Sequence, residues 1–447
     1  MPIEKQIEEA KKRLRDWWED PIALGRPVVL CNCEIEGTKP KKHWEYFTYA
    51  NMLIKMLGND ELRPRLREAL LSSYRNIPAL PKAPTGIKVD FQAPEYAEIM
   101  VKVQNQVDSM VASSPHADAI PILRSQSGPG FPVSCLGEYS SLPTTGPDTI
   151  WFDTVRRWPE LEHLELDRTS PWWQVTMEVT RRQLEIAPSW VAVGFPSMNG
   201  TTDMLQSLRG TTNFIRDMMK EKDLVKKALD QVQVAFQETV DAFWGEIKKK
   251  REGSGSFIGV WAPGNAPSVQ CDALAYIGPR QFKQFALPYI TADLENADYG
   301  TYHLDGPGAI KFLHDLLEIP GLDLIQWVEG AGNPDGVALQ WYPLVRKVLE
   351  AGKRIILYTS VDRVPHFMRR LKKDGVDPRG VCFSLGNVAY FEVEEFLPWL
   401  EADPGCWEKQ QWYGDEFWDE YYEIQQDDPD RYADLENSSE NIQLDYK

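Results

Sequence analysis

Apolar positions follow helical spacing at the start of the chain and then change to short runs set between helical stretches. Ile3, Ile7, Leu14 and Trp17 fall on one face of a helix, and Asn59 to Arg75 predicts a second one. Between them, Val28-Val29-Leu30-Cys31-Asn32-Cys33 reads as an extra strand. From Asp118 onward the apolar runs are Ala119 to Leu123, Ser189 to Phe195, Phe257 to Trp261, Tyr302 to Leu304, Leu322 to Trp327, Arg354 to Tyr358 and Val381 to Leu385. Helical patterns separate them at Thr211 to Lys249, Pro279 to Asp298, Leu339 to Ala351, Val364 to Asp374 and Val393 to Glu401. Alternation of this kind predicts βα units and a parallel sheet.

The expected organisation is an α/β chain: an N-terminal helical cap over residues 1–117, a (β/α)8 TIM barrel over 118–405 and a C-terminal tail over 406–447. The tail is dense in acidic and aromatic groups, among them Trp412, Phe417, Trp418, Tyr421 and Tyr422. So many rings predict a tail packed on the barrel or on a second subunit, and hence a homodimer.

Composition narrows the partners. The 447 residues are 43% hydrophobic, enough for a sizeable core, and no apolar run is long enough for a membrane helix. The charged N-terminus is unlike a signal peptide, so a cytoplasmic location is expected. A net charge of −18 argues against a nucleic-acid surface and for a small-molecule substrate. The six cysteines are scattered, and the one close pair, Cys31 and Cys33, reads as core. No Walker loop, dinucleotide fingerprint, G-x-S-x-G elbow or H-E-x-x-H helix occurs.

In a (β/α)8 barrel the C-terminal strand ends carry the chemistry. Tyr302-His303-Leu304-Asp305-Gly306-Pro307-Gly308 is the leading candidate, because a strand there aims His303 and Asp305 the same way, with an amphipathic helix from Ala309 to Leu317 to follow. A turn-capping Asp305 and a core His303 fit the same string. Cys271 and Asp272 occupy a second strand end, where Asp272 also reads as a helix N-cap. Trp327 and Glu329 share a face at a third, beside glycines that let backbone approach a ligand, although a plain loop reads as well. Asp203 and Arg209 are available to a polar substrate group or to each other's surroundings as cap and surface charge. Asn387 ends the last strand, where a Gly-Asn turn is the alternative. His303, Asp305 and Cys271 would make a three-ligand zinc set with an open position if their strand ends converge.

With these residues in view, the chain from about Asp118 to Trp399 resembles the uroporphyrinogen decarboxylase-like superfamily. The resemblance rests on Trp261-Ala262-Pro263-Gly264 with Gln270-Cys271-Asp272 and the Phe282/Pro288-Tyr289 helix, on Tyr302 to Gly306 followed by Ile325-Gln326-Trp327, and on Leu385-Gly386-Asn387. It implies the (β/α)8 fold and one of two reactions, cofactor-free decarboxylation of porphyrinogen acetates or zinc-dependent methyl transfer involving corrinoids or thiols. The decarboxylases' Arg-Gln-Ala-Gly-Arg segment is missing, and Asn387 replaces their last-strand histidine. In the superfamily's methyltransferases a His-x-Cys pair binds zinc where this chain has His303-x-Asp305, with a later cysteine where it has Asn387. An oxygen-rich set suits activation of a methoxy or methylamine donor better than a thiol acceptor.

The resemblance thus implies a metal-dependent methyltransferase that passes the methyl to a separate corrinoid protein. His303, Asp305, Asp272 and Glu329 are its expected catalytic groups, and Asp203, Arg209, Gln270, Trp327 and Asn387 its expected substrate contacts. A decarboxylase and a non-catalytic ligand-binding barrel are the alternatives.

Overall fold

A computed structural model describes residues 2–34, 89–92, 94–125, 130–137, 144–145, 150–151, 156–389 and a few positions between 393 and 400. The expected helix at Asn59 to Arg75 and the tail from 406 lie outside the described residues. The chain divides into two compact units, one drawn from residues 1–40, 114–120 and 301–447, the other from 41–113 and 121–300.

In the first unit, the Ile3 to Trp17 periodicity becomes helix α1 (Ile3–Glu19), whose buried stripe is Ile7, Ala10, Leu14, Trp17 and Trp18. The strands are β1 (Val28–Glu34), β2 (Pro115–Ala117), β3 (Thr301–Asp305), β4 (Leu324–Val328), β5 (Arg354–Tyr358) and β6 (Val381–Ala389). Their order across the sheet is β2-β1-β6-β5-β4-β3. All these pairs are parallel except β1 with β2. The class is therefore mixed α/β with a mostly parallel sheet. Ile325, Trp327, Ile355, Ile356 and Leu357 are fully buried, as strands covered on both faces require. Helices α2 (Tyr342–Glu350) and α3 (Val364–Lys373) connect β4 to β5 and β5 to β6.

The apolar run at Val28 is more than an appendage to a helical cap. It is β1, and it lies beside β6, so the first and last strands of this unit are neighbours. Its entry is fixed by Asp118, which takes Arg26 at 2.7 and 3.0 Å, Arg13 Nε at 2.7 Å and the Val29 N–H at 3.0 Å. Burial pushes the Asp118 carboxyl up, but the two guanidiniums outweigh it and hold the group below the usual carboxylate range. Arg354, opening β5, donates to the carbonyls of Trp17 and Trp18 at 3.0 and 2.6 Å, satisfying two acceptors that the end of α1 leaves open.

The second unit is mainly helical, with helices Pro94–Val111, Pro171–Ile186, Thr201–Arg209, Thr211–Lys220, Lys222–Ile247, Pro279–Phe285 and Leu287–Leu294. The expected Thr211 to Lys249 helix breaks at Glu221, where φ is −128° and ψ is 45°. The Pro279 to Asp298 helix breaks at Ala286, since Pro288 in the first turn of the next helix has no N–H to continue the ladder. Strands are short here: Ile122–Leu123 pairs in parallel with Ala192–Val193. The Phe257 to Trp261 run is a turn; its flanks, Ser254–Gly255 and Trp261–Ala262, pair antiparallel. Among the described residues, no helix is long and apolar enough to cross a membrane.

Candidate functional site

Within the first unit, β3 carries the two groups the sequence singles out. Tyr302 and Leu304 are buried on one face, while His303 is half-buried and Asp305 exposed on the other. The strand ends where Gly306 takes φ +73°, a backbone state that side chains rarely adopt. Six residues of 3-10 helix, Pro307–Phe312, and a short helix, Leu313–Leu317, replace the single amphipathic helix expected from Ala309.

The parallel register sets Gln326 of β4 opposite His303. Its carboxamide oxygen lies 2.6 Å from His303 Nδ1, and its amide nitrogen donates to the Tyr358 hydroxyl on β5. An amide oxygen only accepts, so this contact is a hydrogen bond when Nδ1 carries a ring proton. An imidazole whose other nitrogen is tied to a fixed acceptor is the usual arrangement of a metal-binding histidine.

Other expected site residues of this unit lie on β4 and β6 or just beyond them, Glu329 following Val328, the register partner of Asp305. Glu329 follows β4 and is half-buried; burial first, then the charge of Asp335, holds its carboxyl above the ordinary range. Trp327 sits on the face of β4 opposite Gln326, fully buried, with its ring edge-on to Trp341 at 5.0 Å. That places it in the packing between strand and helix layer. Asn387 is exposed on β6, in register with Asn32 of β1. Cys31 and Cys33 are buried in β1, as a core reading expects, and the hydrogen bond from Cys33 followed by burial raises the Cys31 thiol.

In the second unit, Asp203 is buried and accepts from the backbone N–H groups of Asp272 and Ala273 at 2.7 and 3.1 Å. It caps the 3-10 turn Asp272–Ala275 from a distant helix, a role that sequence spacing does not reveal. Burial, then the charge of Asp272, pushes its carboxyl up to about 8. Gln270 donates to Asp272 Oδ2 at 3.2 Å. Cys271 is fully enclosed, and burial, with Asp203 and Asp272 adding to it, raises its thiol well above the usual value. A thiol so placed resists the deprotonation a metal ligand needs. Arg209 donates to Asp217 at 2.8 Å and to the Arg156 carbonyl at 2.8 Å, under the ring of Trp158. Its charge is spent within the fold.

His303 and Asp305, on one face of β3, each offer a metal-ligand atom. An imidazole and a carboxylate side by side form a donor pair that fits a divalent ion such as zinc, and the tie from Gln326 to His303 strengthens the fit. Gln326 and Tyr358 are the residues that pattern reading missed as members of the site. They become visible only through strand register.

No protein-family model matches the chain, and no curated protein matches it. Among solved structures, a methyltransferase from Methanosarcina mazei is similar at 15% identity and a TM-score of 0.43, over 85% of this chain and 93% of that one. A B12-independent methionine synthase from Shewanella sp. W3-18-1, in complex with selenomethionine, is similar at 10% identity and a TM-score of 0.30, over 52% of this chain and 66% of that one. At such distances the chemistry is read from the residues themselves.

Proposed function

We propose that the chain is a metal-dependent methyltransferase that activates a small methoxy or methylamine donor and passes the methyl group to a corrinoid protein. The observation that carries the reading is the shared face of β3, where His303 and Asp305 present a nitrogen and a carboxylate two residues apart at a strand end. The Cys271 suggested by sequence is left out of this reading, because burial raises its thiol well above the usual value. A bound divalent ion supplies Lewis acidity toward the donor's oxygen or nitrogen.

The chain's own groups do the rest. His303 and Asp305 would hold that ion at the end of β3. Glu329, whose carboxyl is raised by burial and which follows Val328, the register partner of Asp305, is the acid–base candidate of this reading. A corrinoid on a separate protein would serve as the methyl acceptor.

Elemental analysis and zinc titration of the full chain test the reading, together with methyl transfer to a Co(I) corrinoid from methanol, methylamines and methoxyarenes. Stoichiometric zinc, lost in His303→Ala and weakened in Asp305→Asn, is the expected result. A metal-free wild-type protein that decarboxylates a porphyrinogen would overturn it.

A further inference from the structure

We propose that Gln326 is a positioning residue that sets the tautomer of His303, and that Tyr358 anchors the Gln326 carboxamide in place. The inference rests on the metal reading above for its consequence, while the tautomer is a property of the metal-free protein.

Three side chains on three adjacent parallel strands make the device. His303 and Gln326 are register partners across β3 and β4. Gln326 is the partner of Ile356 on β5, and Tyr358 stands two residues further along that strand on the same face. Gln326 is 4% exposed, so its hydrogen bonds form away from water and are the stronger for it.

A neutral imidazole in water favours the proton on Nε2, which leaves the lone pair on Nδ1. The Gln326 oxygen, 2.6 Å from Nδ1, rewards the opposite form. A carboxamide alone is ambiguous, because turning it end for end would offer an N–H to Nδ1 and reverse the preference. In the structure the Gln326 amide nitrogen meets the Tyr358 hydroxyl while its oxygen meets the ring. A hydroxyl accepts from the amide in this orientation and would donate to it in the other, so the ring's 15N pattern is what reads the orientation. The outcome is an Nε2 lone pair on the half-buried side chain that shares its face with Asp305. A neutral acceptor does this without adding negative charge beside the ligands, as a carboxylate would.

The test is the 15N spectrum of histidine-labelled, chelator-treated full-length protein at about pH 9, where an ordinary imidazole is neutral. The His303 ring is identified by the signals lost in His303→Asn. Wild type should show a protonated Nδ1 and an unprotonated Nε2. Gln326→Glu, which keeps an oxygen at the same place, should preserve that pattern, and Gln326→Leu should move it toward Nε2–H. Zinc affinity, read by competition with a chromophoric chelator, should fall about 10- to 100-fold in Gln326→Leu, far less in Gln326→Glu, and to an intermediate extent in Tyr358→Phe.

An Nε2–H ring in wild type, or an unchanged pattern in Gln326→Leu, overturns the inference. If Gln326→Leu fails to fold, the comparison of wild type with Gln326→Glu decides it by the same spectrum, since a carboxylate can only accept from Nδ1. Wild type that shows the Nδ1–H pattern yet binds no zinc supports the inference and defeats the metal reading, so the two fail separately.

Discussion

Asp118 receives both terminal nitrogens of Arg26, at 2.7 and 3.0 Å, and the carboxylate is completely buried. The pair sits at the start of β1 and follows Ala117, a non-glycine residue at φ +56°. A backbone state that costs about 1 kcal/mol or more persists because its neighbours over-determine it. Here Arg13 and Arg26 do so, with Arg13 also donating to the Ala117 carbonyl at 2.7 Å.

Removing one partner of this pair strands the other. Asp118→Ala should destabilise the protein by about 3–5 kcal/mol in a denaturant titration, and Arg26→Met with Asp118→Leu should recover much of that loss. A cost below about 1 kcal/mol for the single change would show that β1 is anchored by something else.

Asp293 predicts a pH dependence. It accepts from the Thr201 N–H and hydroxyl at 2.8 and 2.6 Å, and burial pushes its carboxyl up to about 7 from 3.8. The folded state therefore holds more protons than the unfolded one between those values. Its contribution is complete below about pH 4 and is lost as pH rises through about 7, on the order of 4 kcal/mol in all. The stability of wild type relative to Asp293→Asn should decline across that window. Parallel stability curves would refute the assignment.

Gly200 passes so close to the strand before Asp272 that a Cβ there would lie 2.2 Å from the Gln270 carbonyl oxygen. Gly200→Ala should cost about 1–3 kcal/mol or more through backbone displacement. Gly245, in the helix Lys222–Ile247, has open space around it, and Gly245→Ala should stabilise by about 0.5–1 kcal/mol. Thermal melts of the two variants should move in opposite directions.

Trp327 separates packing from ligand binding. It is fully buried against Trp341, and its indole N–H has no hydrogen-bond partner among the described residues. Trp327→Leu should cost about 2–4 kcal/mol of stability, with the less disruptive Trp327→Phe nearer 1. Neither should change zinc affinity beyond about twofold, since 1.4 kcal/mol is needed for tenfold. A large affinity loss without a stability loss would place Trp327 at the ligand.

The sequence by itself determined the class of the fold and the seat of its most chemical strand. Helical spacing at Ile3, Ile7, Leu14 and Trp17, and the apolar runs at Leu324, Arg354 and Val381, are local signals of period 3.6 and 2, and they survive folding as α1, β4, β5 and β6. Alternation also put His303 and Asp305 on one face without knowledge of any neighbour. Tertiary structure alone decided what those faces meet. It made Val28–Glu34 a neighbour of the last strand, turned Asp203 into a cap for a segment 69 residues away, committed Arg209 to Asp217, and brought Gln326 and Tyr358 to His303. Periodicity fixes a side chain's direction relative to its own strand, whereas register, strand order and burial follow from non-local pairing, and these govern which polar groups find partners.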